Sequence, residues 1–166
     1  LLIQASNPAE DIQVTSRFWR TCFRLLYRLL AWLDPLIRAV WRQTGIGNVV
    51  ELRVAARKSP SQQRSRMVGT LLAGGQTYIG HPDGDSAWTR DLRAAGRGVI
   101  RYHSGGEWPV RARLLDPAID QREREDAIRA TGQHPFPGNF IYRLGRAHVR
   151  ATGVYFRLED DLAATP

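Results

Sequence analysis

The chain has 166 residues and a formal net charge of +8, and 43% of its residues are hydrophobic. This length allows one domain with a sizeable core and is short for two. The single cysteine, Cys22, excludes a disulfide framework and a thiolate metal site. Nearly all of the basic excess is arginine, which favours bidentate contacts with phosphates and carboxylates. Nucleic acid, anionic lipid and an anionic cofactor are therefore candidate partners, and composition does not rank them.

The first 46 residues are predicted to precede the main domain, which takes up residues 47–166. Residues 1–16 are polar and mixed, a pattern that predicts a flexible arm. From residue 17 onward, apolar side chains recur at three- and four-residue steps and arginines form a separate stripe, so residues 17–46 are predicted to form an amphipathic basic helical segment. Asp34 and Pro35 have the pattern of an N-cap and a first-turn proline, which divides this segment into a pair of helices.

The helical segment has two candidate partners. Arginines interrupt its apolar run too often for a membrane span, which needs about 20 mostly apolar residues. Arginine on one face and tryptophan, phenylalanine and leucine on the other are typical of a helix lying at a membrane interface. The same apolar face between Trp19 and Trp41 also fits packing on the main domain or on a partner protein. We expect the protein at the cytoplasmic face of the plasma membrane or in the cytoplasm.

From residue 48 the apolar period shortens to two, which indicates strands. Val50, Leu52 and Val54 alternate with polar or small residues, and residues 67–81 read as a hairpin folded about Gly74 and Gly75. Further strands are predicted at 98–102, 108–115 and 154–158, with helices at 87–95 and 120–130. Residues 140–149 fit either a short helix or a strand. About six antiparallel strands with flanking helices predict an α+β fold in which the strands close into a small barrel.

Residues 57–96 carry the strongest functional signal. A basic loop at 57–66 precedes the hairpin, and a turn at 82–85 leads into the helix that starts near residue 87. Clustered cations beside the free N–H groups of a helix start suit an anionic ligand. The alternatives are a solvated basic loop, whose exposed ion pairs contribute about 0–1 kcal/mol each, and a tryptophan, Trp88, that belongs to the core.

The order of these motifs resembles the deazaflavin-dependent nitroreductase family. The matching pieces are Arg57-Lys58-Ser59 followed by Arg64, a hydrophobic strand that ends in Gly74-Gly75, and Trp88 followed by Leu92-Arg93-Ala94. The resemblance covers roughly residues 19–113, and the basic amphipathic lead-in looks like the membrane-associated branch of the family. It implies a split β-barrel of the FMN-binding type, the 8-hydroxy-5-deazaflavin coenzyme, and hydride transfer to a quinone, nitro-aromatic or activated alkene.

The resemblance also implies a set of cofactor-binding residues, although it identifies no catalytic side chain. Four cations would face the phosphate and carboxylate tail of the coenzyme, Met67 would lie along its strand-side wall, and the turn after the hairpin would surround the deazaflavin end or the phosphate. The cations are Arg57, Lys58, Arg64 and Arg66, and the turn region contributes His81, Pro82, Asp83, Gly84 and Trp88.

Several alternatives stay open. FMN in place of deazaflavin stays an alternative, because split barrels accommodate both, although it is the less favoured cofactor; a barrel without a cofactor is the other alternative. Asp83 and Asp85 would repel a phosphate unless an arginine offsets them, so a non-catalytic split-barrel accessory subunit of a membrane-associated complex is the alternative function. No nucleic-acid partner is expected, since no reading motif is present. The four histidines show no metal-ligand spacing, so no metal is expected either.

Overall fold

The computed structural model describes residues 8–84 and 86–161, and side chains from Arg17 onward within them. In this part of the chain there are six strands and five α-helices, with a short 3-10 turn, Thr131–Gln133, between the third and fourth helices. In chain order they are α1 Pro8–Thr44, β1 Val49–Ala56, β2 Ser59–Ala73, β3 Gln76–His81, α2 Ala87–Ala95, β4 Arg97–Arg101, β5 Glu107–Leu114, α3 Gln121–Ala130, α4 Gly138–Leu144, α5 Arg146–Thr152 and β6 Val154–Asp160.

The strands form a closed barrel in the order β1-β2-β3-β6-β5-β4, and every neighbouring pair is antiparallel. The long strand β2 changes partner along its length: Ser59 and residues 63–69 pair with β1, and residues 70–73 pair with β3. This architecture confirms the predicted α+β split barrel. Val50, Leu52 and Val54, the alternating apolar residues that predict β1, all have buried side chains.

Two apolar clusters hold the fold together. One fills the barrel and takes Leu92 from α2. The other lies between the barrel and the outer helices, where Phe23 of α1 packs with Leu71 and Tyr78 and is completely buried. Helix α1 is therefore built into the same core as the strands through its inward face.

The predicted pair of N-terminal helices is wrong, because α1 runs unbroken from Pro8 to Thr44 with Pro35 inside it. The Asp34 side chain does not cap a new helix but accepts a hydrogen bond from Arg38 Nε at 2.6 Å, one turn further on. Trp41 Nε1 donates a hydrogen bond to the Val49 carbonyl at 2.8 Å, which attaches the C-terminal end of α1 to the start of β1. Helical structure also begins inside the predicted arm of residues 1–16, of which residues 1–7 lie outside the described part.

The predicted basic loop at 57–66 is also wrong, since only Arg57 and Lys58 lie between β1 and β2. The rest of that stretch belongs to β2, whose first half projects polar side chains on both faces. Without an apolar face, those residues lack the alternation that reveals a strand. Residues 140–149, which fitted either a helix or a strand, are helical and belong to α4 and α5, which Gly145 separates.

Candidate ligand site at the barrel end

One end of the barrel collects most of the predicted site residues, because β1 and β3 both end there. Helix α2 covers this end and turns Trp88, Asp91 and Leu92 toward the barrel, at the three- and four-residue spacing of one helix face. Asp91 meets the β1–β2 turn, and Trp88 meets the end of β3. Helix α2 thus connects the cationic residues to the His81 region.

Two of the predicted cationic residues contact Asp91. The Arg57 backbone N–H donates to Asp91 Oδ1 at 3.1 Å, and Arg64 Nη1 lies 3.4 Å from Asp91 Oδ2. The side chains of Arg57, Lys58 and Arg66 are exposed, and no carboxylate of the described residues pairs with them. We call Arg57, Lys58, Arg64 and Arg66 the basic corner. Its free guanidinium and ammonium groups are available to an anionic ligand.

Met67 lies apart from the basic corner. Arg64 and Arg66 stand opposite Val54 and Leu52 of β1, whereas Met67 stands opposite Glu51. Because successive side chains of a strand point to opposite faces, Met67 shares the outer face of β2 instead. The structure does not bring Met67 onto the surface that the predicted cations line.

His81 lies between two aromatic side chains at the end of β3. Its ring stacks on Tyr27 with 4.7 Å between centroids and meets Trp88 edge-on at 6.4 Å. The Asp83 backbone N–H donates to His81 Nδ1 at 3.4 Å. Sequence reasoning missed Tyr27, because it assigned the helical segment to a surface and gave its tyrosine no role.

The turn at residues 82–84 is tied to α5 and α1. Asp83 Oδ1 lies 2.9 Å from His148 Nε2 and 3.6 Å from Arg20 Nε. The Thr152 hydroxyl donates to the Pro82 carbonyl, and the Gly84 N–H donates to the Thr152 carbonyl, both at 2.9 Å. Arg20 therefore supplies the cation that the Asp83 carboxylate was expected to need, and α5 holds the turn in place.

The start of α2 is already capped. Ser86 accepts a hydrogen bond from the Thr89 N–H at 3.4 Å, and the Ser86 N–H donates to the Thr89 hydroxyl at 2.8 Å. This capping box satisfies donors that sequence reasoning had left free for a phosphate. Any anion at this end of the barrel therefore depends more on the basic corner than on the helix start.

A groove of about 320 Å³ lies between α1 and the end of β3. Its volume falls at the small end of the range for small-molecule sites. The stacked Tyr27 and His81 rings provide an apolar, planar surface, and guanidinium groups stand beside it. The lining residues are Phe23, Arg24, Tyr27, Arg28, Ala31, His81 and Asp83.

The tyrosines behind the groove are neutral hydroxyl groups. Tyr27 and Tyr142 share a hydrogen bond of 3.0 Å between their oxygens. Burial raises the pKa of Tyr27 to about 12 and outweighs the hydrogen bond to Tyr142, which lowers this pKa. Burial also raises the pKa of Tyr142 and of Tyr155. These side chains can orient a ligand and exclude water, but at neutral pH they do not act as bases.

A second contact holds α1 beside the groove. The nearly buried carboxylate of Glu51 lies 2.9 Å from Arg38 Nη1 and 3.6 Å from both Arg53 Nη2 and Arg101 Nη1, and it accepts a hydrogen bond from Ser65. Burial disfavours the ionised carboxylate, but the Ser65 hydroxyl and the guanidinium groups outweigh it and lower the Glu51 pKa. Helix α1 is thus joined to the barrel by charged groups at both Asp83 and Glu51.

The outer face of α1 is apolar and exposed. We call its exposed apolar side chains the apolar stripe; Trp32 at its centre is 77% exposed. Exposed arginines, which we call the basic row, lie along one side of it. No helix in the described part of the chain combines the length and hydrophobicity needed to cross a bilayer. The stripe consists of Phe18, Leu25, Leu29, Trp32, Leu36 and Val40, and the row of Arg17, Arg24, Arg28 and Arg42.

No protein-family model and no curated protein matches the chain. Among solved structures it is similar to a candidate pyridoxamine 5'-phosphate oxidase from Listeria innocua, with 15% identity, 78% of this chain and 94% of that chain covered, and a TM-score of 0.44. It is also similar to a FAD-binding protein from Mesorhizobium loti, with 16% identity, 69% and 79% covered, and a TM-score of 0.41. A conserved hypothetical protein from Mycobacterium tuberculosis matches with 11% identity, 77% and 80% covered, and a TM-score of 0.45.

The strand topology and the groove together define the class of protein. The chain is a split-barrel protein, and one end of its barrel carries an aromatic groove and cations that pair with no carboxylate among the described residues. This combination suits a planar small molecule with an anionic tail.

Proposed function

We propose that this protein is a reductase that uses the 8-hydroxy-5-deazaflavin coenzyme at a membrane surface and passes a hydride to a quinone, nitro-aromatic or activated alkene. The observation that carries the proposal is the groove in which Tyr27 and His81 present stacked rings. It opens at the same barrel end as the basic corner. A planar ring system with an anionic tail matches both features.

The residues present fit such a coenzyme in two parts. The aromatic groove has room for a ring system, while the exposed side chains of Arg57, Lys58 and Arg66 suit the phosphate and carboxylates of the tail. The coenzyme supplies the hydride chemistry when bound. The protein's part is to position the ring, balance the charge of the tail and keep water away with its buried tyrosines. FMN shares the planar ring and the phosphate and is the less favoured cofactor.

The proposal is tested by titrating the purified protein with oxidised deazaflavin coenzyme and following its fluorescence, with FMN in parallel. We expect saturable binding that weakens by about tenfold in Lys58→Ala, because one charge-assisted contact is lost. Arg122→Ala, which removes an exposed arginine from α3, is the matched control and should bind as wild type. Absence of binding at high micromolar coenzyme rejects the reductase, and binding of FMN alone reassigns the cofactor.

Docking on an anionic membrane is part of this proposal. Between Arg17 and Thr44 the single acidic residue is Asp34, and its carboxylate is taken up by Arg38. The exposed surface of this part of α1 is therefore mainly apolar and basic, which complements negatively charged headgroups. Cosedimentation with vesicles that contain phosphatidylglycerol, and not with phosphatidylcholine vesicles, is the expected result. Equal sedimentation with both kinds of vesicle would contradict the proposed attraction between the arginines of α1 and anionic headgroups.

The second candidate function is a non-catalytic accessory subunit of a membrane-associated complex. The capped start of α2 and the anchored turn at residues 82–84 favour it, because both use up backbone donors that a phosphate would need. This function predicts a stable partner protein that copurifies with the chain and no bound chromophore. Turnover of an acceptor by the isolated protein would exclude it.

A further inference from the structure

A second exposed apolar surface lies on α4 and the loop before it. Phe140 and Leu144 are four residues apart and share the face of α4 opposite the buried Tyr142. Phe136, two residues before α4, is 81% exposed. We call Phe136, Phe140 and Leu144 the α4 patch. Three large apolar side chains in water on so short a segment point to an interaction surface.

The α4 patch adjoins the first part of the apolar stripe. Gly145, the residue after Leu144, approaches α1 so closely that an added Cβ would lie 3.0 Å from the Trp19 ring and 3.2 Å from the Phe23 ring. The Trp19 ring in turn meets Phe18 of the stripe edge-on, with 5.4 Å between centroids. The apolar surface therefore passes from α1 to α4 through Trp19.

The charges around the α4 patch are basic. The sequence contains no aspartate or glutamate from Thr131 to Leu158, and the Arg143 guanidinium lies 5.7 Å from the centre of the Phe140 ring. Glu125 of α3 lowers the net positive charge near Arg146, but its carboxylate already accepts two hydrogen bonds from Arg150. An occupant of this surface must therefore be apolar in its interior and anionic at its boundary.

We infer that the α4 patch is a second membrane-contacting surface, which enters the headgroup region of an anionic bilayer beside α1. The inference rests on the membrane docking in the proposed function and extends it to a separate element. Aromatic side chains flanked by arginines are the composition that such an interface favours. A helix that lies alone on a bilayer can roll about its axis. Contact of the α4 patch with the same bilayer prevents this rotation. The groove next to Arg24 and Arg28, on the opposite flank of α1, then keeps one orientation relative to the headgroups.

The test places a polarity-sensitive dye on the patch. Phe140→Cys, in a Cys22→Ser background, is labelled and mixed with vesicles of phosphatidylcholine with or without phosphatidylglycerol. We expect a blue shift of dye emission with the anionic vesicles only. The matched control is Gln121→Cys at the exposed start of α3, where the dye should stay in water. A label at residue 140 that stays in water while the protein cosediments overturns the inference and leaves α1 docking intact.

A second measurement separates the inference from the reductase. The double variant Phe140→Ser with Leu144→Ser should bind anionic vesicles at least about tenfold more weakly, since it loses two apolar side chains from the contact. Its affinity for the deazaflavin coenzyme should equal that of wild type. Unchanged vesicle binding overturns the inference, as does a failure of wild type to bind vesicles. A blue shift that appears without vesicles and grows with protein concentration shows a second copy on the patch and also overturns it.

Discussion

Glu51 is the carboxylate on which the position of α1 depends most directly. Glu51→Gln keeps its shape but leaves three guanidinium groups around a neutral amide. We expect the free energy of unfolding to fall by about 2 kcal/mol, because the partners lose their counter-charge in a mostly buried place. Glu107→Gln, which removes an exposed partner of Arg53, should lower it by about 0–1 kcal/mol. Urea denaturation measures both, and equal effects would show that Glu51 is no anchor.

His134 gives the fold a pH dependence of known sign. Burial lowers its pKa from 6.5 to about 4, and its Nδ1 faces the Asn48 amide at 3.4 Å. As pH falls below 6.5 the unfolded chain gains a proton that folded His134 does not accept until about pH 4, so stability is lost in that window. Glutamine does not titrate in this range. Between pH 7 and pH 4.5 the unfolding free energy of wild type should therefore fall by about 2 kcal/mol more than that of His134→Gln. Parallel curves for both proteins would contradict this.

The elements of the fold could be predicted where their burial follows a period. Val50, Leu52 and Val54 show such a period, and the Gly74-Gly75 turn marks the hairpin, so these strands can be predicted from the sequence. The first half of β2 was missed, because a strand that projects polar side chains on both faces has no period of two. The break at Asp34-Pro35 was wrong for a different reason. Asp34 bonds to Arg38 one turn further along the helix instead of capping a new one, and Arg38 also bonds to Glu51, which only the folded chain brings beside α1.

Pro35 distinguishes one helix from two. Inside a continuous helix, Pro35→Ala restores a backbone N–H that can bond to the Ala31 carbonyl, and it removes the clash of the proline ring with the preceding turn. The substitution also raises the entropy of the unfolded chain, which offsets part of this gain. We expect a net increase of about 1 kcal/mol in the free energy of unfolding. At the first turn of a separate helix, the same change would give no gain. Thermal and urea denaturation decide the sign. Pro117→Ala, in an exposed loop, is the control and should show no such increase.

At the scale of the whole molecule, the site is only partly readable from the sequence. The basic corner and the His81–Trp88 region belong to one continuous stretch, so their motifs could be recognised. Tyr27 and His148 come from helices more than 50 residues away along the chain, and no local pattern connects them to His81 or Asp83. Only the packing of α1 and α5 against the barrel end completes the groove.

The contribution of α1 to that groove can be separated from its contribution to stability by two substitutions at Tyr27. Tyr27→Phe keeps the ring against His81 and loses the 3.0 Å bond to Tyr142, so stability should fall by about 1 kcal/mol while coenzyme affinity stays unchanged. Tyr27→Ala removes the ring, and coenzyme affinity should fall by about tenfold or more. Fluorescence titration of both variants, after circular dichroism has shown that they are folded, measures the difference. Wild-type affinity in folded Tyr27→Ala would mean that the ligand site is confined to the barrel and that α1 serves the membrane alone.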